Sequence, residues 1–307
     1  MNHSMGQWGG FLVLIFALLA LDLGVFNRKA HAPSTREALL LSAFWIGVAL
    51  SFNGVVYFLW GAQPALEFLA GYLIEKSLSV DNLFVFIMIF SYFGVAVKFQ
   101  HRILYWGILG ALIMRGLFIG LGSVLIAEFH WIIYVFGILL IYSAIKMLRH
   151  DEGAFDPSKN PVLRLAKRFL PIKEDYQGES FTLIEKGKRF FTPLFIVLLI
   201  VETSDVMFAI DSIPAIFAVT KDPFIVFTSN VFAILGLRAL YFALASLMGQ
   251  FAYLKQGVCF ILFFVGCKML LEAYVHIPIA LSLAIIVGTL VLSVVASRLI
   301  KPKSAET

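Results

Sequence analysis

Nine runs of about 20 apolar residues follow one another along this 307-residue chain, and no other feature restricts its fold so much. A helix rises 1.5 Å per residue, so about 20 such residues cross the hydrocarbon core of a bilayer. The runs cover roughly residues 8 to 27, 38 to 60, 65 to 93, 103 to 127, 130 to 148, 192 to 219, 224 to 248, 256 to 276 and 277 to 299. The last two are divided only by the turn His276-Ile277-Pro278. Charged residues make up 14% of the chain, well below the quarter or so usual in soluble domains. The expectation is an all-α polytopic membrane protein of about nine transmembrane helices.

Basic residues assign the sides. Eighteen Lys and Arg fall in the alternate connections of one side, and one, Lys221, lies on the opposite side. Cytoplasmic loops carry the basic excess, which predicts an N-terminus outside and a C-terminus in the cytoplasm. The net charge of +5 is accounted for in this way and calls for no nucleic-acid partner. No Lys or Arg precedes Trp8, whereas Arg28, Lys29 and Arg36 follow the first run, the order of an uncleaved helix rather than a signal peptide. Cys259 and Cys267 share one apolar run; eight residues of helix separate them by about 12 Å, too far for a disulfide.

The chain also contains a duplicate of itself. "SVDNLFVF" (79–86) aligns with "AIDSIPAIF" (209–217), which superposes Asp81 on Asp211 and Glu75 on Asp205. "GALIMRGLF" (110–118) matches "AILGLRALY" (233–241) and superposes Arg115 on Arg238; a third match brings Lys146 onto Lys268. Three matches in the same order predict a three-helix repeat. Three crossings reverse direction, so the copies are inverted, the 3+3 arrangement of secondary transporters with a site near the midplane. The segments are then 1–63 (two N-terminal helices), 64–148 (first repeat), 149–191 (cytoplasmic connection), 192–276 (second repeat) and 277–307 (last helix and tail).

Apart from Glu67 and Arg298 near run ends, within these runs stand seven acids (Asp22, Glu75, Asp81, Glu202, Asp205, Asp211, Glu272) and five bases (Lys76, Arg115, Lys146, Arg238, Lys268). A charge inside the bilayer is costly and marks function or pairing. Asn82 and Ser79 beside the first acids, and Ser204 and Ser212 beside the second, add short oxygen ligands. Carboxylates with neutral oxygens suit a hard divalent cation such as manganese, magnesium or calcium. Pairing with Arg115 and Arg238 is the competing reading; the surplus of two acids favours a cation or two protons. Pro214 is expected to open the helix locally. Asn53 reads as an interhelical contact, Asp22 as either an interfacial group or a ligand near the inner surface, and Lys268 with Glu272 as a local pair. Gly107, Gly110, Gly116, Gly120 and Gly122 read as close helix contacts. In the connection, "PVLRLAKRFLP" (161–171) has the pattern of an amphipathic helix on the inner leaflet.

"EKSLSVDN" (75–82) and "ETSDVMFAIDSIPAIFAVT" (202–220) resemble the TerC family, named for tellurium resistance. The resemblance implies a multi-pass transporter of the bacterial inner membrane, in the lysine-exporter superfamily, with manganese(II) export in one branch. By that analogy Glu75, Asp81, Asn82, Glu202, Asp205 and Asp211 handle the ion, with Ser79, Ser204, Ser212, Asp22, Arg115 and Arg238 in support. It implies no prosthetic group, Mn2+ as the transported ion, the lipid bilayer as surroundings and protons as returning counter-ions. A membrane scaffold or redox modulator of tellurite or stress resistance is the alternative.

Overall fold

The computed structural model describes residues 3–22, 34–129, 131–149, 165, 168, 170–172, 180–185, 188–246, 253–271, 274–275 and 277–299. Ten helices order these residues: α1 (Met5–Leu21), α2 (Thr35–Trp60), α3 (Ala62–Tyr92), α4 (Val97–Glu128), α5 (Ile132–Arg149), α6 (Pro193–Phe217), α7 (Pro223–Leu235), α8 (Leu237–Ser246), α9 (Leu254–Leu271) and α10 (Ile279–Leu299). A two-stranded antiparallel hairpin, β1 (Thr182–Glu185) with β2 (Lys188–Phe191), precedes α6. The chain is an all-α polytopic membrane protein.

The helix starts follow local chemistry. Ser4 caps α1 by accepting from the Gln7 amide while the Gln7 side chain accepts from Ser4 N–H. Ser34 caps α2 through the Glu37 amide, and Asp222 caps α7 through the amides of Phe224 and Ile225. Each cap satisfies donors that have no partner within the first turn. Between α2 and α3 the chain turns at Gly61 with φ at +92°, a conformation that suits glycine.

Among the described residues, α2, α4, α6, α9 and α10 are long and apolar enough to cross a membrane, and the pair α7 and α8 makes a sixth. The other expected spans fall short for separate reasons. α1 and the Ile132–Leu148 part of α5 are shorter apolar helices, while α3 carries Glu75, Lys76 and Asp81 within its apolar run.

Two expectations about breaks need correction. α6 continues through Pro214 and ends at Phe217: the proline has no N–H to give the Ile210 carbonyl, yet the helix is not interrupted there. The break falls in the run expected at 224–248, where Gly236 separates α7 from α8 and the axes bend by 43°. A side chain at Gly236 would come within 2.8 Å of Trp45 Cβ and 3.3 Å of Lys76 Nζ. Lys76 Nζ donates to the Ala233 carbonyl at 3.1 Å, placing positive charge on the carbonyl end of α7.

Contacts between helices come in matched pairs. α3 packs on α7 as α4 packs on α6, and α3 on α6, α4 on α7 and α5 on α9 complete the set. Exchanging α3, α4 and α5 for α6, α7 and α9 maps each pairing onto another in this set. α5 and α9 make the most extensive contact, around two glycines. A Cβ on Gly266 would meet the Gly137 carbonyl at 2.8 Å, and one on Gly137 would meet the Gly266 carbonyl at 3.1 Å.

At the opposite end from the hairpin, His3 stacks on Phe224 with ring centroids 4.4 Å apart, and its Nε2 lies 2.9 Å from Asp222 Oδ2. The N-terminus and the start of α7 therefore share one side, as the charge pattern requires. Most of the 149–191 connection lies outside the described residues, as do Arg28, Lys29, Glu272 and the tail from residue 300; of the helix expected at 161–171, Leu165 and Arg168 are described, and both are helical and exposed.

Candidate functional site

Arg115, 14 residues after His101 on α4, is 1% exposed and lies where α3, α4, α6 and α7 meet. Its Nη1 forms an ion pair with Glu75 of α3, which is 0% exposed. Nη2 lies 3.5 Å from Asp205 Oδ1 of α6. Nη1 also donates to Ser212 Oγ at 3.3 Å and to Asn230 Oδ1 at 3.2 Å. Asn230 Nδ2 in turn donates to Glu75 Oε2 at 3.2 Å, and Ser79 Oγ to Glu75 Oε1 at 3.4 Å. One guanidinium thus faces two carboxylates from different helices inside the bundle.

Helix periodicity explains the assembly. Asp205 and Ser212 are seven residues apart and therefore on one face of α6, towards Arg115. Glu75 and Ser79 are four apart on α3 and likewise adjacent. Two polar atoms remain unmatched: Arg115 Nε and Asp205 Oδ2 are buried without a hydrogen-bond partner. Unsatisfied groups of this kind are expensive in a dry interior, and a native protein retains few of them.

The other expected residues lie around this cluster. Glu202 packs over Gly110 of α4 so closely that a Cβ there would overlap its carboxylate. Asp211 points to α5, where its Oδ1 accepts from Ser143 Oγ at 2.6 Å. Asp81 lies on α3, and its side chain is outside the described residues. Asn82 is buried at 3% exposure. Ser204 Oγ donates to the Ile200 carbonyl at 2.8 Å, so its hydroxyl proton is committed to its own helix. Asp22, at the end of α1, holds Arg238 of α8 through Nη2 at 2.6 Å. Glu75 and Asp205 are therefore brought together, with Ser79, Ser212 and Arg115; Glu202 lies one turn from Asp205 and interacts with its carboxylate, whereas Asp211 and Asp22 have separate surroundings. Among the described residues, no group of three or more acids, histidines and cysteines is arranged to hold a metal ion in this state.

Asn230, which ties Arg115 to Glu75, is the residue that sequence reasoning passed over. Its signal is the polar triplet Thr228-Ser229-Asn230, fully buried in an apolar helix. The glycine expectation holds at four of five positions. Gly107 faces Val201 at 3.3 Å, Gly116 faces Phe227 at 3.4 Å, Gly122 faces Phe217 at 2.9 Å, and Gly110 faces Glu202. Gly120 has nothing within 4 Å and is a correction: it makes no helix contact in the monomer. Asn53 Oδ1 is buried without a partner, so its expected interhelical bond is not formed through that oxygen. Cys259 and Cys267 are not joined in a disulfide.

Residues 60–305 match the family described as "Integral membrane protein TerC family". Over 304 residues, 99% of this chain and 95% of the relative, the chain is 50% identical to "Uncharacterized membrane protein STKORF319" of Myxococcus xanthus. It is 46% identical over 297 residues to "Putative membrane-bound redox modulator Alx" of Escherichia coli K12, covering 93% and 92% of the two chains. It is 40% identical over 291 residues to an "Uncharacterized membrane protein" of Rickettsia bellii, covering 95% and 96%. No solved structure matches the chain.

Proposed function

Since this chain belongs to the TerC family of integral membrane proteins, we propose that it is a secondary transporter exporting manganese(II) from the cytoplasm by alternating access. Two inverted three-helix repeats, α3 to α5 and α6 to α9, rock about a site near the midplane, and protons return on the same carboxylates. The protein lies in the bacterial inner membrane with its N-terminus outside and its C-terminus in the cytoplasm. It moves an ion and catalyses no covalent chemistry.

One observation carries this reading. Glu75 and Asp205, aligned in the two halves, share a single buried guanidinium, and Asp205 keeps one oxygen unmatched. Two carboxylates against one guanidinium leave a surplus negative charge in a low-dielectric interior, which an arriving cation would neutralise. Carboxylates, Ser hydroxyls and amide oxygens are the donors a hard divalent ion prefers. The described state has Arg115 between the acids. Loading requires the guanidinium to withdraw, and Glu202, one turn from Asp205, then becomes available beside it. The paired helix contacts support the inverted repeat.

The test is purified protein in liposomes containing a manganese-sensitive dye, with and without a pH gradient. Wild-type protein carries Mn2+ and the gradient accelerates it; Glu75→Gln and Asp205→Asn insert normally and lose the flux, as do Asp81→Asn and Asp211→Asn. Unchanged flux in both Glu75→Gln and Asp205→Asn would falsify the proposal.

The name carried by the Escherichia coli relative favours a second reading, a membrane-bound redox modulator. In that reading the reduced cysteines Cys259 and Cys267 act. Replacing both with serine separates the two: flux survives in a transporter, whereas a redox phenotype disappears in a modulator.

A further inference from the structure

Arg238 borders two small cavities in succession. The outer one is also lined by Asp22, Glu37, Trp45 and His101. The inner one, with room for about one water, is also lined by Leu104, Gly107, Ala111 and Asp205. Along α4 the order is His101 at the outer cavity, Leu104 to Ala111 at the inner one, then Arg115 in the cluster. At 1.5 Å per residue this path covers about 20 Å. The Arg238 guanidinium therefore stands between the end of the bundle where α2 and α4 begin and the acids at its centre.

Its partner in this state is Asp22, at 2.6 Å. The inner cavity holds a second carboxylate, Asp205, which is 5% exposed and whose Oδ2 lacks a hydrogen-bond partner. An arginine has five donors on a long stem and can serve either acid. Arg115, which aligns with Arg238, already bonds both Glu75 and Asp205. Inverted repeats change sides as one half rocks or gates against the other around a fixed site. Such a movement would send Arg238 inward to Asp205 as Arg115 withdraws.

We propose that Arg238 alternates between Asp22 and Asp205 during transport and so works as the inner gate of the cation path. This inference rests on the transporter reading above. With Arg238 on Asp22 the guanidinium borders both cavities and repels an incoming cation. With Arg238 on Asp205 that positive charge leaves the outer cavity, whose lining includes the carboxylates of Asp22 and Glu37. Asp22 is a parking place, and Arg238 is a positioning residue.

Thiol reactivity tests the exchange without using flux. In a chain with Cys259→Ser and Cys267→Ser, Ala239→Cys places a thiol on the outer cavity beside Arg238; Leu41→Cys, on the same cavity, serves if that variant does not fold. A cationic thiosulfonate should label it several-fold faster when Asp22→Asn releases the guanidinium, and more slowly than the parent when Asp205→Asn removes the alternative partner. Labelling unaffected by Asp205→Asn overturns the exchange, because a purely structural Asp22–Arg238 pair does not sense residue 205. In the reversed pair, Asp22→Arg with Arg238→Asp, Mn2+ flux should stay at least ten-fold below wild type even though the protein elutes as a folded particle; full recovery also overturns the exchange. If labelling responds to Asp205→Asn while wild-type liposomes carry no Mn2+, the transport reading fails and the arginine exchange stands.

Discussion

Arg115 and Arg238 occupy aligned positions, yet their surroundings differ. Arg115 is enclosed by α3, α6 and α7 and bonds two acids, a serine and an asparagine. Arg238 meets one acid, on a helix outside the duplicated set, beside a cavity. The first guanidinium is part of the packing that joins the halves; the second is tethered at the rim. Residues that align between two stretches of one chain thus need not do equivalent work in any one state. What separates them is the number of partners and the nearness of water.

The largest expected effect comes from removing the central cation. Arg115→Leu leaves Glu75 and Asp205 without compensation, a loss of about 3–5 kcal/mol; thermal unfolding in detergent and membrane yield should both collapse. Adding Glu75→Gln to Arg115→Leu should recover part of that loss. Arg238→Leu should cost less than half as much in the same assay, because its single acid sits next to a cavity. Equal losses would erase the contrast between the two arginines.

The next tests concern the helix that carries Arg115. Gly110→Ala pushes a methyl into the Glu202 carboxylate and should lower stability by about 1–3 kcal/mol, the usual range for overpacking. Glu202→Ala in the same chain should restore stability without restoring Mn2+ flux. Ser143→Ala, which removes the donor to Asp211, should cost about 1 kcal/mol. Gly120→Ala, ten residues from Gly110 on the same helix, should stay within about 0.5 kcal/mol of wild type because nothing lies within 4 Å. A large effect at Gly120 would point to a neighbour outside the monomer.

Charges in apolar runs are legible in a sequence because a membrane leaves them few places to go. For that reason Glu75, Asp205 and Arg115 stand out from the order of residues alone, and so do the helices that carry them. Which acids meet is another matter. Asp205 and Asp211 look interchangeable on paper, but six residues of helix turn Asp211 away to Ser143 while Asp205 faces the guanidinium. The bend at Gly236 escapes hydropathy because both sides of it are equally apolar; it depends on Trp45 and Lys76, far away in the chain. Pro214 misleads for the opposite reason: it forfeits one bond, to the Ile210 carbonyl, and α6 nevertheless continues to Phe217. The hairpin of β1 and β2 escapes because its strands are four residues each and show no apolar and polar alternation.

At the crossing of α5 and α9, each glycine backbone lies against the other, flanked by the side chains of Ile141 and Leu270. Main chain this close to main chain cannot slide without prising the two apart, although it can swivel. If the two halves rock as proposed, this spot is their natural pin, and bulk introduced at either glycine would jam the swing even with every acid still in place.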